Sequence, residues 1–244
     1  MTSPFSIDWP QYVPDLVTGV RWTLTFTVMS FALAAVWGLL LALARSSRFA
    51  PVRWISYAYT ELFKNVPFIT QIFIIYFGLG QIGIILGNFS AGVIALVLFY
   101  GAYLGEIFRG ALKSVPDTQN EASSALGFTS LQTVRYVVLP QAFRVALPGA
   151  ATMLVDLLKS TSLLVTIAAA ELMNQAQTIA SETFRPMEVY LVIGAIYFVL
   201  CFPLSRLALR IEDKISAGVP LSAKRRRLLQ SVQSRTATNA VERA

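Results

Sequence analysis

The 244-residue sequence contains no histidine and a single cysteine, Cys201, which lies inside an apolar segment. Disulfides therefore do no structural work, and metal or thiol chemistry has no partner. Charge is also scarce: Asp, Glu, Lys and Arg make up 14% of the chain, against roughly 25% in an average soluble domain. That excludes an ordinary globular enzyme. No Gly-Lys dipeptide occurs, so a phosphate-binding loop of the form GxxxxGK[ST] is impossible. No half of the chain repeats the other, as a secondary transporter would require. The first twenty residues hold Asp8, Asp15 and three prolines, with neither the basic start nor the apolar run of a cleavable signal peptide. What the chain does have is apolar length: 55% hydrophobic residues and a mean hydropathy of +0.61.

A helix needs about 20 apolar residues to cross the hydrocarbon core. Residues 23–44 carry no charge and end at Arg45, and form the first predicted crossing. No charged residue lies between Lys64 and Glu106, which is room for two helices. The glycines at 78, 80, 83, 87 and 92, with Asn88 and Ser90, place the break near the middle. The second crossing is thus predicted at about 54–80 and the third at about 90–112. A fourth follows at about 144–170 and a fifth at 188–209. Backbone groups in lipid must be paired internally, so open-chain spans are helices. The fold class is all-α, a membrane protein of five transmembrane helices.

Lys and Arg in short loops set the orientation. The segment before the first crossing has none until Arg21, whereas the next loop has Arg45, Arg48 and Arg53. The loop between crossings two and three has none, and the long third loop has Arg109, Lys113, Arg135 and Arg144. The fourth carries Glu171, Glu182 and Glu188 against Arg185, and the tail has Arg206, Arg210, Lys214 and the run 224–227. The alternation places the N-terminus outside, the C-terminus inside and the third loop in the cytoplasm. Residues 1–215 are expected to form the membrane domain, and 216–244 a basic, mobile tail whose charges would anchor topology by touching anionic lipid. No aromatic residues interleave with its charges, so nucleic acid is not an expected partner.

The third loop, about 117–140, is polar and helix-forming. Thr118 with Glu121 has the spacing of a capping box, Gly127 suits the left-handed residue that ends a helix, and Thr129 with Gln132 repeats the box. Pro140 is expected to stop the second helix. Within this loop, EASSALGFTSLQTVRYVVLP over 121–140 resembles the cytoplasmic coupling loop of bacterial ABC-importer permeases. That pattern reads EAA, three residues, Gly, nine residues, a branched aliphatic, one residue, then Leu-Pro; Ser123 and Val137 stand at its third and branched positions. The resemblance implies a hairpin seated in a groove of an ATPase subunit. Glu121, Ala122, Ser123 and Phe128 would lie near that contact, with Gly127 at the bend.

Further segments extend the likeness over roughly 19–210. Gly19 to Leu24 matches a G-x-x-x-T-L opening, and Glu61 to Gln71 an ELFRGTPLLVQ-like segment, with Lys64, Asn65 and Val66 replacing Arg, Gly and Thr. Ala102 to Gly110 matches AYxxEIFRG, and Leu158 to Leu163 corresponds to LKDTSL with Ser160 at the aspartate. Thr118 stands where glycine is expected. The chain is similar to the polar amino-acid uptake permeases, transmembrane subunits of type I ABC importers. The family implies a second permease subunit, an ABC ATPase that binds ATP and Mg, an extracytoplasmic solute-binding protein, and a polar amino acid crossing the bacterial inner membrane. The chain itself would be no enzyme and hold no cofactor.

Charges inside the spans mark the candidate site. Lys159 lies 15 residues beyond Arg144 and 12 before Glu171, roughly 22 and 18 Å along a helix. A charge that deep costs several kcal/mol unless paired or hydrated, and commonly marks a substrate path. Asp156 lies three residues earlier on the same face and can neutralise it, either as a structural ion pair or as part of a substrate site. Ser160, Thr161 and Ser162 are expected to loosen the helix and line a polar cavity. Gln71 either faces the path or bonds a neighbouring helix. Glu106 and Arg109, three apart near an inner helix end, form a helix-end pair or a gate.

Overall fold

The computed structural model describes residues 7–218, and every regular element among them is helical. The first helix, α1, runs Trp9–Arg45, beginning well before the predicted 23–44. Hydropathy alone loses this extension at Arg21. Trp9, Tyr12, Leu16 and Val20 hold it by packing on a buried cluster formed by Leu172, Ala176, Ile179, Val189 and Ile193.

The predicted second crossing at 54–80 is not one helix. It divides into α2, Ala50–Asn65, and α3, Phe68–Gln81, bent by 109° at the break. The cause is Pro67: the residue before a proline is pushed out of the helical region, and Val66 sits at φ −94°, ψ 132°. Carbonyls freed at the end of α2 need donors, which the Gln71 amide supplies at 2.8 Å to Phe63 O and 2.9 Å to Val66 O. The described chain thus has four helices of spanning length, and five spans if the bent pair counts as one.

α4, Asn88–Ser114, is the third crossing and the hub of the fold. It packs along α1 more extensively than any other pair of elements. The approach is close because small residues face each other, the usual device where no hydrophobic driving force separates helix from lipid. A Cβ on Gly38 would come within 2.9 Å of the Gly105 nitrogen and 3.0 Å of the Gly101 carbonyl.

Two helices on one side of the bundle follow: α5, Asp117–Ala125, and the start of α6, Ser130–Ile167. Pro140 does not stop the second of them. The helix passes through it by a π-turn at Val134–Val138, where Leu139 N–H reaches back five residues to Val134 O. That wider turn sits directly before the residue that lacks a donor. α6 then spans, tightens to a 3-10 helix at Thr161–Ile167 and ends at Ala168, φ 52°. α7, Leu172–Thr183, occupies what sequence alone reads as loop. α8, Pro186–Gly218, is the last crossing. The basic tail lies outside the described residues except for its first positions, which continue α8.

Gly38→Ala is expected to lower stability by about 1–3 kcal/mol, the usual range for overpacking. Gly80→Ala, with nothing within 4 Å of its added Cβ, serves as control. Thermal midpoints of the purified protein in detergent measure the difference, and equal midpoints would refute a tight α1–α4 contact.

Candidate functional site

Most of the candidate residues fall in two regions: the 117–140 hairpin and a polar cluster within α6. In the hairpin, α5 closes with Phe128 N–H to Ser123 O at 3.0 Å and Gly127 N–H to Ser124 O at 3.0 Å. This is the six-to-one and five-to-two pairing that a left-handed residue makes possible, and Gly127 has φ +82°. The second cap is complete: Thr129 N–H donates to Gln132 Oε1 at 2.8 Å, and Gln132 N–H to Thr129 Oγ1 at 3.4 Å. The first is absent. Pro116 occupies the N-cap position of α5 without a side-chain bond, so Thr118 is already inside the first turn and cannot cap with Glu121.

The hairpin exposes Glu121 and Ala122, while Ser123 is buried with its hydroxyl bonded to Gln119 O at 2.7 Å. Its tip carries Leu126 at 77% exposure, Leu131 at 77% and Phe128 at 40%. Three large apolar side chains exposed within six residues of a polar hairpin offer a surface that a partner can cover. Leu126 and Leu131 fell outside the sequence reading, although their position beside Gly127 was a usable signal.

In α6, Asp156 and Lys159 do not pair. Among the described residues the ion pairs are Arg45–Glu106, Arg109–Glu106 and Arg185–Glu188. Asp156 Oδ2 instead accepts from the Tyr100 hydroxyl of α4 at 2.9 Å, and Ser160 Oγ lies 2.7 Å from the same hydroxyl. Tyr100 is fully buried and is the residue that aims this cluster. Lys159 borders a cavity of about 580 Å³ between α6 and α8, together with Ser162, Tyr190, Tyr197, Cys201 and Ser205. Asp156 and Lys159 are both exposed on the single chain.

The α-helix gives way to 3-10 geometry at the hydroxyl run. Thr161 Oγ1 donates to Leu158 O at 2.8 Å and Ser162 Oγ to Lys159 O at 2.7 Å, competing with the backbone ladder. Thr161 is fully buried and Ser162 partly exposed. Gln71 is buried at the α2–α3 break with its amide nitrogen engaged there, apart from this cluster. Glu106 does pair with the candidate Arg109, whose Nη2 lies at 2.6 Å along α4, and also with Arg45, which was read only as a loop charge, at 2.5 Å from the end of α1. The tie to Arg45 crosses 61 positions of sequence and has no local signal.

Glu171 was read only as a topology charge. It is fully buried at the start of α7, its carboxylate accepting from Asn174 N–H at 2.8 Å, Met173 N–H at 2.9 Å and the Tyr197 hydroxyl at 2.8 Å. It therefore ties α7 to α8, while Thr23 Oγ1 accepts from Leu172 N–H at 3.1 Å and ties α7 to α1.

Comparison with known proteins places these features in a family. Residues 34–217 match the family described as binding-protein-dependent transport system inner membrane component. The chain is 35% identical over 217 residues to the L-cystine transport system permease protein TcyB of Bacillus subtilis (strain 168), covering 88% of this chain and 93% of that one. It is 32% identical over 217 residues to the glutamine transport system permease protein GlnP of Escherichia coli (strain K12), covering 88% and 99%. Among solved structures, an amino acid ABC transporter crystallised with histidines matches at TM-score 0.80 and 34% identity over 88% of this chain and all of that chain. The inward-facing MetNI methionine transporter matches in fold, at TM-score 0.67 and 23% identity over 86% and 99%.

Burial raises the Glu171 pKa above the ordinary carboxyl range, opposed by its bonds from Met173, Tyr197 and Asn174. Between the ordinary value and the raised one, the folded chain holds the extra proton, so stability falls as pH rises through that window. Glu171→Gln stays neutral. The wild-type advantage over this variant in thermal midpoint is therefore expected to shrink as pH rises from the acid side, and a pH-independent difference would contradict it.

Proposed function

The chain belongs to the binding-protein-dependent transport system inner membrane components, and on that premise we propose that it imports a polar amino acid as one transmembrane subunit of an ATP-driven transporter. The observation that carries this reading is the capped, kinked hairpin with Leu126, Phe128 and Leu131 exposed at its tip. A hook of that kind, on a chain lacking a phosphate-binding loop, hands mechanical work to or from a separate subunit. That subunit is an ABC ATPase, which binds ATP and Mg on the chain's behalf.

The charge alternation of the loops supports a cytoplasmic hairpin, an outer N-terminus and an inner C-terminus, and the family supports a bacterial inner membrane. ATP-driven closure of paired ATPases would draw two such hairpins together and open the outer side, a shift between two states of a bistable assembly. A second permease subunit supports the same reading from the membrane interior. Asp156 and Lys159 lie in mid-span and are exposed on the single chain, an expensive position against lipid. Facing a partner permease across a polar path removes that cost.

Along that path the opposite charges of Asp156 and Lys159 match a zwitterion. Asp156 would meet the ammonium group or a cationic side chain, and Lys159 the carboxylate, with Ser160 and Ser162 adding hydroxyls. Relatives named for cystine, glutamine and arginine transport support an amino acid as cargo, delivered by an extracytoplasmic solute-binding protein. Gln71 and Thr161 act at one remove, by holding the backbone at the two helix breaks. Glu106, Arg109 and Arg45 would serve as a contact that closes the inner end.

Asp156→Asn and Lys159→Gln are each expected to weaken substrate affinity about 10- to 100-fold, the scale of one charge-assisted hydrogen bond. Uptake into vesicles holding the reconstituted transporter measures this, with assembly checked by size-exclusion chromatography. Normal affinity in both variants would overturn the site. Leu126→Asp with Leu131→Asp is expected to abolish capture of the ATPase subunit while the membrane domain stays folded. Undiminished capture would show that the hairpin tip is not the docking surface.

A further inference from the structure

On the hairpin side of the bundle, Arg45 ends α1, Arg53, Trp54 and Tyr57 lie on the first half of α2, and Arg109 and Lys113 lie near the end of α4; together they line a recess of about 380 Å³. Glu106 is bonded to both Arg45 and Arg109, and no acid stands among the residues lining the recess, which leaves a surplus of positive charge. Arg109 Nε is buried and has no hydrogen-bond acceptor among the described residues. Among the described residues Arg53 makes only a long 3.4 Å contact to Ser47 O, and both Arg53 and Lys113 are exposed.

The surroundings select the kind of anion. The recess lies where α1 and α4 end, the level at which a spanning helix meets the headgroups. Trp54, 65% exposed, and Tyr57, under the Arg45 guanidinium at 4.9 Å, are the amphipathic rings that sit at a membrane–water interface. A dissolved anion has no use for those rings; a lipid places glycerol and acyl carbons against them. We propose that this recess is a binding site for the phosphodiester of an anionic glycerophospholipid in the leaflet on the hairpin side. Its oxygens accept from the exposed Arg53 and Lys113, with Arg45 and Arg109 in the wall of the recess adding positive charge. Lys113 also borders the adjoining hollow formed by Val115, Pro116, Asp117 and Asn120, so a bound headgroup sits at the root of the coupling hairpin.

The site is independent of the transport reading, because binding is read without substrate or ATP. The test uses the full chain purified with its partner subunits and equilibrated in bilayers of equal phosphatidylglycerol and phosphatidylcholine, with retained lipid counted by native mass spectrometry. Wild type is expected to retain phosphatidylglycerol selectively. Removing two interfacial cations in Arg53→Gln with Lys113→Gln should weaken its apparent affinity about thirtyfold, whereas Arg21→Gln at the far end of α1 should leave it unchanged. Equal retention of the two lipids by wild type, or undiminished phosphatidylglycerol retention in the double variant, overturns the proposal. So does displacement of the lipid by millimolar inorganic phosphate, which would make the recess a site for a soluble anion.

Discussion

A bilayer offers no water to a broken helix, and at two interruptions of the spans of this protein, Pro67 and the end of α6, a side chain bonds the freed backbone. At Pro67 the Gln71 amide covers the carbonyls of Phe63 and Val66. In the hairpin, outside the lipid, a π-turn before Pro140 shifts the ladder so that the missing donor is not required. At the end of α6, where the helix winds tighter, hydroxyls of Thr161, Ser162 and Thr166 bond back to Leu158, Lys159 and Leu163. The Ala168 carbonyl at the left-handed turn accepts from Asn88 Nδ2 of α4 at 2.9 Å.

These repairs determine where chemistry is placed. The α2–α3 break turns one apolar run through 109°, which lays α2 against α1 and α4 near their ends and builds the cationic recess there. Tightening at residue 161 falls immediately after Asp156, Lys159 and Ser160, so the charged groups occupy the last regular turns of α6. Asp156 is thereby aimed at Tyr100 while Lys159 faces the α8 side, and two residues that sequence spacing would pair are held to different neighbours. The hairpin is built from the same elements in water: a left-handed glycine, a reciprocal cap and a proline that the helix passes through.

How much of this was legible in the sequence depends on the range of each signal. Uncharged runs exposed the spans, since hydropathy is additive along a segment, but it could not register α1 beyond Arg21 or the whole of α7. Those helices are held by distant surfaces and by Glu171, whose partners include Tyr197 on another helix. The Thr129–Gln132 cap and the Gly127 turn were readable because they close within a few residues. The expected Thr118–Glu121 cap failed because Pro116 starts the helix earlier, and the expected stop at Pro140 failed because a π-turn absorbs it.

By itself the sequence determined that the chain crosses a membrane several times, that a kinked polar hairpin interrupts the spans, and that no nucleotide loop accompanies it. These follow from local composition and fixed spacing, which a helix translates directly into depth and face. Only the tertiary structure decided that Tyr100 rather than Lys159 partners Asp156, that Arg45 joins Glu106, and that Glu171 is a buried strut. Such pairings depend on which helices lie side by side, and that is set by the close approach of Gly38 to Gly101 and Gly105, a matter of shape between segments far apart in the chain.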